Sequence, residues 1–394
     1  MERVERQGAH LALFMPSLGG GGAEKVMLTL ARAFAEGGDK VDLLVARCEG
    51  AHRDKIPDGV RLIDLEAGRV LRSLRPLAAY LRKNRPDALI STLNYANVVA
   101  VLARDLAGVS TPVLVREDST PTHSLEKNWK GRLQLGLMAL TYARAQTIVA
   151  VSQGVAEALV EARVAPARRI TTIYNPVELD QIEAASTQLP THPWLAGERG
   201  GRPRPLVLAV GRLTPAKDYP NLLDAMARLK QTHSARLLIL GEGELRAELE
   251  ARIADLGLEQ DVAMPGFVSN PYACMARADV CVLSSRWEGF GNVLVEALAV
   301  GAPVVATDCP GGPGEILEGG RWGRLVPVGD ALALARALGE ALDEDDAPDP
   351  RPRVGAFDHT AIAEAYRRVL FGGESDGEYP RASGDAKRWL GLRK

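Results

Sequence analysis

Residues 279–308 read DVCVLSSRWEGFGNVLVEALAVGAPVVATD, and this stretch carries the clearest fold signal in the chain. Short apolar runs stand near its two ends, at 280–283 and 303–306. Between them lie a loop with two glycines and a segment of helical period from about Asn292. Short runs that are apolar on both faces and alternate with helices are typical of parallel strands joined by crossover helices. The stretch therefore predicts one strand–helix–strand unit of a doubly wound sheet.

The same alternation occurs in both halves of the chain. In the N-terminal half, HLALFMPSL at 10–18 precedes a helical segment, and ALIST and TIVAVS do the same further on. In the C-terminal half, PLVLAVGRL at 205–213 and ARLLILGEG at 235–243 repeat the pattern. The stretch after Asn175 and Pro176 is polar and rich in Pro and Gly, as linkers are. The chain is therefore predicted to form two Rossmann-like, doubly wound α/β domains in tandem.

The changes of pattern predict five segments. They are an N-terminal domain over 1–180, a linker over 181–204, a C-terminal domain over 205–356, a helix over 357–371 that packs back toward the N-terminal domain, and a flexible tail over 372–394.

The composition is that of an ordinary globular protein. Of the 394 residues, 46% are hydrophobic and 25% charged, with 48 Lys or Arg against 50 Asp or Glu, which excludes a mainly disordered chain. No window reaches eighteen uninterrupted apolar residues, and the first residues form no apolar signal core. We therefore expect a cytoplasmic protein with neither a membrane span nor a signal peptide. The four cysteines and six histidines have no metal-binding spacing, so we expect no bound metal and no other cofactor.

A run of four glycines follows the first apolar segment. Gly19 to Gly22 lead through Lys25 into a helical segment, which lets backbone amides approach an anion at a helix N-terminus. The dinucleotide fingerprint fails because Lys25 stands where its last glycine belongs, and the P-loop pattern fails because Val26 follows that lysine. We predict a phosphate site here, with a mobile turn as the alternative.

Two cations follow an apolar run in the C-terminal half. The segment VGRLTPAKDY places Arg212 and Lys217 in the loop after the predicted strand, at the carboxyl edge where α/β sheets bind ligands. Two positive charges at that edge suit a diphosphate. The alternative is that both are solvated surface charges.

Two glutamates flank a glycine-containing loop. Glu288 and Glu296 would point ~80° apart on a continuous helix, but Gly289 and Gly291 break it. With Asn292 as the helix cap, Glu296 lies about one turn inside the helix and Glu288 remains in the loop before it. Two carboxylates at different depths beside a helix N-terminus can each accept hydrogen bonds from a polyhydroxylated ligand.

Several of these motifs together resemble one enzyme family. The glycine-rich loop, VGRL with a lysine five residues after its arginine, LGEGE, PGF and EGFGNVLVEALAVGAPVVATD are similar to the retaining glycosyltransferases of GT-B fold, the large family-4-like group with an E-x7-E motif. The similarity extends to about Phe371. The segment from Thr307 to Ile316 most resembles bacterial transferases that extend lipid-linked oligosaccharides or surface polysaccharides. The resemblance implies two domains that face each other across a cleft, the first binding the acceptor and the second the nucleotide sugar.

The resemblance also implies a role for each matching residue. Arg212 and Lys217 would bind the donor diphosphate, and with Glu288 they are the candidate catalytic residues. Glu296 would accept hydrogen bonds from the ribose hydroxyls, and Glu288 from those of the transferred sugar. Further donor contacts are expected in the glycine-rich loop, at the border of the base and at the start of the helix after Glu288, at Gly20, Gly21, Gly22, Gly241, Phe267, Gly291, Asn292, Val293 and Leu294.

The implied activity is transfer of a hexose or N-acetylhexosamine from a nucleotide sugar, expected to be UDP-linked, with retention of configuration. The implied acceptor is a glycan or a polyprenyl-diphosphate-linked glycan, in the synthesis of lipopolysaccharide or another surface polysaccharide. In this family retention is attributed to front-face attack, in which the donor phosphate helps to deprotonate the acceptor, so no carboxylate nucleophile and no metal are needed. A UDP-sugar epimerase, a phosphorylase and a non-catalytic scaffold subunit of the same fold are the alternatives.

The end of one N-terminal strand offers further candidates. VLVRED at 113–118 ends a predicted strand at the cleft, where family members often carry a polar residue that contacts the donor sugar or the acceptor. The candidates are Arg116, Glu117, Asp118 and His123. Glu315 stands at a predicted helix start, where it either caps that helix or takes part in the site.

Positive charge is concentrated between Arg61 and Gln146. This span holds 13 Lys or Arg and 7 Asp or Glu, interspersed with Leu, Trp, Met and Tyr at roughly helical spacing. Basic amphipathic helices bind anionic bilayers, so we predict peripheral attachment at the inner face of the cytoplasmic membrane, with solvated helices as the alternative. No nucleic-acid-binding motif accompanies the charge and the whole chain has a net charge of −2, so we expect no nucleic-acid partner.

Overall fold

The computed structural model describes residues 8–19, 21–120, 129–190, 192–196, 201, 203–344 and 349–372. These residues form two α/β domains, each built on a parallel sheet with helices on both faces. The predicted pair of doubly wound domains is confirmed.

The described residues of the N-terminal domain form seven strands and six α-helices. Its strands are β1 (His10–Ser17), β2 (Lys40–Arg47), β3 (Val60–Asp64), β4 (Ala88–Thr92), β5 (Val113–Glu117), β6 (Thr147–Ala150) and β7 (Ile170–Thr172). Its helices are α1 (Gly22–Glu36), α2 (Leu74–Asn84), α3 (Asn94–Ala107), α4 (Trp129–Tyr142), α5 (Gln153–Glu161) and α6 (Leu179–Ser186). The strand order is β3-β2-β1-β4-β5-β6-β7.

The C-terminal domain repeats this arrangement, with six strands in its described part. They are β8 (Leu206–Val210), β9 (Arg236–Leu240), β10 (Val262–Gly266), β11 (Val280–Leu283), β12 (Val304–Thr307) and β13 (Arg324–Val326), in the order β10-β9-β8-β11-β12-β13. The helices that follow are α7 (Tyr219–Leu229), α8 (Arg246–Asp255), α9 (Pro271–Arg277), α10 (Asn292–Ala299), α11 (Pro313–Ile316), α12 (Ala331–Asp343), α13 (Arg351–Val354) and α14 (His359–Phe371).

Strand β1 explains why the strands are apolar throughout rather than alternating. Leu11, Leu13 and Met15 pack into the core on one face of the sheet, whereas Ala12 and Phe14 pack into the core on the other. All five are 0% exposed. Because helices cover both faces, every position of the strand must be apolar.

The chain crosses between the domains a second time near its end. Helix α14 lies on the N-terminal domain, where the ring of Tyr366 packs edge-on against Phe34 of α1 with centroids 6.4 Å apart. Just before α14, the amide of Val177 donates to the carbonyl of Phe357 at 2.8 Å.

Helix α6 occupies 179–186, so the first part of the predicted linker is helical. Most of the predicted tail, from residue 373, lies outside the described residues.

Candidate active site

The loops at the carboxyl ends of the two sheets contact each other. After β6, Ser152 Oγ donates to the carbonyl of Gly289 at 2.7 Å. A Cβ atom on Gly289 would lie 1.7 Å from the carbonyl oxygen of Asp118, at the end of β5. A Cβ atom on Gly154 would lie 2.8 Å from the amide nitrogen of Gly311. The backbones of the two domains therefore meet at positions that only glycine can occupy.

Two loops of the C-terminal domain are joined beside this contact. Lys217 Nζ donates to Glu288 Oε1 at 2.6 Å, and Ser284 Oγ donates to the carbonyl of Lys217 at 2.7 Å. Arg286 Nε lies 2.9 Å from Asp218 Oδ2. The loop after β8 and the loop after β11 thus form one unit, which holds a cation and a carboxylate side by side.

Arg212 and Lys217 lie in the same loop but in different surroundings. Lys217 is half-buried and paired, whereas Arg212 is exposed. Within the part of the chain that the structure describes, the Arg212 guanidinium has no ion pair. Its loop rests on the loop after β9, because a Cβ atom on Gly241 would lie 2.0 Å from the carbonyl oxygen of Gly211. Gly241 therefore supports the loop that carries Arg212.

Helix α10 begins at the base of this unit with an uncapped N-terminus. Gly291 precedes it with a φ of +98°, and no side chain caps the helix. The prediction that Asn292 is the cap is wrong, since Asn292 is the first helical residue and its Oδ1 accepts a hydrogen bond from Asn175 Nδ2 at 2.8 Å. The amide of Leu294 is occupied, because it donates to the Gly291 carbonyl at 2.9 Å. The free start of α10 carries the partial positive charge that attracts anions.

Glu296 is the fifth residue of α10 and is paired across the cleft. Its side chain is 11% exposed, and Lys25 Nζ of α1 donates to Glu296 Oε1 at 2.5 Å. Lys25 also donates to the hydroxyl of Tyr272, which lies 3.4 Å from the same carboxylate oxygen. Loss of solvation would lower the pKa of Lys25, but Glu296 and Tyr272 outweigh it and raise the pKa. The sequence singled out Lys25 only as a mismatch to two motifs, so its pairing with Glu296 was missed.

Two family descriptions match the two halves of the chain. Residues 20–181 match "Glycosyltransferase Family 4" and residues 198–353 match "Glycosyl transferases group 1". The N-acetylgalactosamine-N,N'-diacetylbacillosaminyl-diphospho-undecaprenol 4-alpha-N-acetylgalactosaminyltransferase of Campylobacter jejuni is 31% identical to the chain, over 92% of this chain and 99% of that protein. The chain belongs to the group 1 and family 4 glycosyltransferases.

Other glycosyltransferases are similar over almost their whole length. The lipopolysaccharide core biosynthesis glycosyltransferase LpsE of Rhizobium meliloti is 28% identical, over 89% of this chain and 96% of that protein. The crystal structure of Anabaena HepE in complex with UDP and glucose is 23% identical, covers 92% of this chain and 99% of that chain, and superposes with a TM-score of 0.75. Sucrose-phosphate synthase of Thermosynechococcus elongatus has the same identity and coverage, with a TM-score of 0.76. The family resemblance and the GT-B fold are confirmed.

In this glycosyltransferase, Arg116 at the end of β5 is an interior residue. It is 0% exposed and pairs with Asp118. Its Nη2 donates to Asn175 Oδ1 at 2.5 Å, and Asn175 in turn donates to Asn292 at the start of α10. The expectation that Arg116 contacts a ligand is wrong for this structure. Arg116 instead holds Asn175, which the sequence had marked only as the start of a polar stretch.

Glu117 is also an interior residue, on the opposite face of β5. It is 0% exposed, and the hydroxyl of Tyr142 in α4 donates to its Oε2 at 2.8 Å. Burial raises the pKa of Glu117 to about 7. The expectation of ligand contact is therefore wrong for Glu117 too, whereas Asp118, 12% exposed at the domain contact, stays a candidate. His123 lies outside the described residues.

The glycine-rich loop meets the start of α10. Gly21 is the N-cap residue of α1, and Gly22 begins that helix. A Cβ atom on Gly22 would lie 3.6 Å from Asn292 Nδ2. The first turns of α1 and α10 thus adjoin. Gly20 lies outside the described residues.

Three other predicted residues have separate positions. Phe267, after β10, is 73% exposed. Val293 is the second residue of α10 and packs partly against the core. Glu315 does not cap its own helix. Its carboxylate accepts from the amides of Gln153 and Gly154 at 2.8 and 3.0 Å, so it caps α5 of the other domain.

Two kinds of feature are absent from the described residues. Among them, no helix combines the length and apolar character needed to cross a membrane. In the same part of the chain, His, Cys, Asp and Glu side chains do not gather in groups of three or more that could hold a metal.

The close contact at Gly289 yields the first test. Gly289→Ala places a methyl group against the Asp118 backbone, which cannot give way as a flexible side chain would, so the loop after β11 and the end of β5 must move apart. We expect turnover to fall ~10²-fold or more, because small displacements of positioned groups cost that much, while the melting temperature of each domain stays nearly unchanged. Gly136→Ala, with nothing within 4 Å of the added atom, is the matched control. Wild-type turnover in the Gly289 variant would show that the contact is not needed.

Proposed function

We propose that this glycosyltransferase transfers a hexose or N-acetylhexosamine from a UDP-sugar to a polyprenyl-diphosphate-linked glycan, with retention of configuration and without a metal. The product would belong to lipopolysaccharide or another surface polysaccharide. The C. jejuni relative is named for an acceptor on diphospho-undecaprenol, LpsE for lipopolysaccharide core biosynthesis, and HepE was solved with UDP and glucose. These names support the acceptor class and the donor base.

The observation that carries the proposal is the charge arrangement at the start of α10. An uncapped helix N-terminus, the exposed Arg212 and the Lys217–Glu288 pair adjoin within two joined loops. This set suits a diphosphate with a sugar attached, because the cations and the helix bind phosphate while Glu288 can accept hydrogen bonds from hydroxyls. A non-catalytic scaffold would have no need to retain all of these groups.

The same groups account for the chemistry. Breaking the bond between the sugar and the diphosphate develops negative charge on the leaving group, and fixed cations with a helix N-terminus stabilise that charge. Glu288 is a poor nucleophile, since its Oε1 already accepts hydrogen bonds from Ser285 at 2.5 Å and Lys217 at 2.6 Å. Retention by front-face attack needs no such nucleophile. The donor phosphate would take the acceptor proton as the glycosidic bond forms.

The roles of the two cations can be tested by substitution. Arg212→Ala and Lys217→Ala should each lower kcat ~10²-fold or more with UDP-sugar, as removal of one transition-state donor does. Arg336→Ala, an exposed arginine on α12, is the control. The rate of product formation is measured with and without EDTA, and NMR of the product gives the anomeric configuration. Unchanged kinetics in both cleft variants, an inverted product or loss of activity in EDTA restored by Mg²⁺ would each contradict the proposal.

Substitution of Glu296 and substitution of Glu288 should have different effects on UDP affinity and on sugar transfer. Glu296→Gln should weaken binding of free UDP ~10-fold, because the ribose that it would hold is present in UDP. Glu288→Gln should leave UDP affinity within about threefold and reduce transfer, because its proposed partner, the sugar, is missing from UDP. Calorimetry with UDP on both variants is the measurement. Equal losses of affinity would reject this division of roles.

The outer face of α4 supports attachment to a membrane. Its solvent-facing residues include Trp129, Leu133, Leu137 and Leu140, which are 70%, 67%, 39% and 65% exposed. The inner face carries Met138, Thr141 and Tyr142. A helix with an apolar outer face needs an apolar partner.

The surrounding charge supports an anionic bilayer as that partner. Lys130 and Arg132 are exposed on α4, and α3 packs between α4 and α2, whose Arg75 and Lys83 are also exposed. Basic side chains around an apolar helix face bind headgroups while the apolar side chains enter the interface. We therefore place the enzyme peripherally at the inner face of the cytoplasmic membrane, where a lipid-linked acceptor would be presented.

Replacing the exposed leucines of α4 tests this surface. The triple variant Leu133→Gln, Leu137→Gln, Leu140→Gln should lose sedimentation with phosphatidylglycerol vesicles by at least ~10-fold, since each leucine loses its apolar contact with lipid. Leu189→Gln with Leu332→Gln, exposed leucines elsewhere, is the matched control. UDP affinity should not change, and high salt should weaken wild-type binding because exposed charges are screened. Wild-type protein that ignores the vesicles at low salt would show that α2 and α4 are solvated helices.

A further inference from the structure

Lys25 is a cleft residue that the proposed donor contacts do not include. It is the fourth residue of α1, and its side chain reaches out of the N-terminal domain to Glu296 and Tyr272 of the other domain. Its side chain is 40% exposed, so it is only partly enclosed. A cation that bridges the two domains at this point must be accounted for when a donor enters.

Lys25 and a ribose compete for the same carboxylate. Glu296 Oε1 accepts from Lys25 at 2.5 Å and lies 3.4 Å from the hydroxyl of Tyr272. A ribose diol that donates to Glu296 in bidentate fashion needs both carboxylate oxygens. Lys25 and Tyr272 already fill the two acceptor positions of Oε1, so one of them must leave when a nucleotide binds, and the ammonium is the donor that an incoming anion attracts.

An anion at the donor site offers Lys25 a new partner. The first turns of α1 and α10 adjoin at Gly22 and Asn292, and both helix N-termini attract negative charge to that place. Lys25 stands one turn into α1, on a flexible four-carbon stem whose three donors rotate freely. A diphosphate between the two helix starts lies within reach of the ammonium when it leaves Glu296.

We propose that Lys25 exchanges partners during donor binding: it neutralises Glu296 in the empty cleft, yields that carboxylate to the ribose, and then binds the diphosphate. This inference rests on the proposed function, and it adds a residue that discriminates a nucleoside diphosphate from a nucleoside. A nucleoside without phosphates breaks the Lys25–Glu296 pair and offers the ammonium no new anionic partner. A nucleoside diphosphate regains the charge interaction at its phosphates.

The experiment compares uridine with UDP in Lys25→Met. For uridine, loss of the competing ammonium should tighten binding ~3-fold, the worth of a partly exposed ion pair. For UDP, loss of the phosphate contact should weaken binding ~10-fold or more. The two ligands should thus respond in opposite directions. Calorimetry, with uridine measured by competition against UDP, gives both dissociation constants.

Three further variants separate the possible causes. Lys40→Met removes an exposed lysine at the start of β2 and should change neither affinity. Lys25→Arg keeps a cation and should restore most of the UDP affinity. In a Glu296→Gln background, Lys25→Met should no longer tighten uridine binding, because the pair is already gone.

The outcomes distinguish this inference from the proposed function. Wild-type protein that does not bind UDP would overturn the proposed donor, and the role of Lys25 with it. Wild-type protein that binds UDP, with a Lys25→Met variant that shifts uridine and UDP in the same direction or shifts neither, would overturn the exchange alone. The melting temperature of Lys25→Met is measured as a check on folding, and a modest decrease is expected because Glu296 loses its ion pair.

Discussion

The position of Glu288 depends on backbone contacts that leave no room for side chains. On one side, Gly289 lies against the carbonyl of Asp118 in the other domain. On the other side, a Cβ atom on Gly311 would lie 2.1 Å from the carbonyl oxygen of Glu288, and one on Gly312 would lie 2.0 Å from that of Phe290. Close-packed backbone cannot yield as a side chain can. The loop that carries Glu288 is therefore fixed by both domains, and the distance from Glu288 to Lys217 follows from that placement.

Charge in the cleft is largely compensated before any donor binds. Glu288 is paired with Lys217 and Glu296 with Lys25, while Asp118 is paired with the buried Arg116. Pairing lowers the cost of holding carboxylates where little water reaches them. Arg212, which has no ion pair among the described residues, adds a positive charge to the loop that also carries Lys217. A cleft arranged in this way favours a dianionic diphosphate, while Glu288 can still accept hydrogen bonds from the hydroxyls of an attached sugar.

The fold could be predicted from the short, mainly apolar runs that alternate with helices, and the depth of Glu296 from the two glycines in the preceding loop. The sequence could not predict the environment of Arg116. A buried arginine in a parallel strand is rare, and its partner Asn175 lies 59 positions away in the chain. The capping error at Asn292 has the same origin, since that side chain bonds to Asn175 of the other domain rather than to its own helix. The pairing of Lys25 was missed and the role of Glu315 was left open because the partners of both residues also lie across the cleft. The local sequence pattern therefore predicts the strands and helices, whereas contacts between the two domains determine the side-chain environments in the site.

The apolar face of α4 and the contact at Asp118 are close along the chain. Ten residues lie between Asp118 and Trp129, and an extended chain over those eleven steps spans at most ~40 Å. A lipid-linked acceptor whose lipid lies against α4 could therefore reach the cleft with its glycan from the N-terminal side. The donor is proposed to enter from the C-terminal side, held at Arg212 and α10. The two substrates would then meet beside Glu288, where the domains are in closest contact, so that the same glycine-dependent contact that fixes Glu288 would also set the distance between the reacting groups.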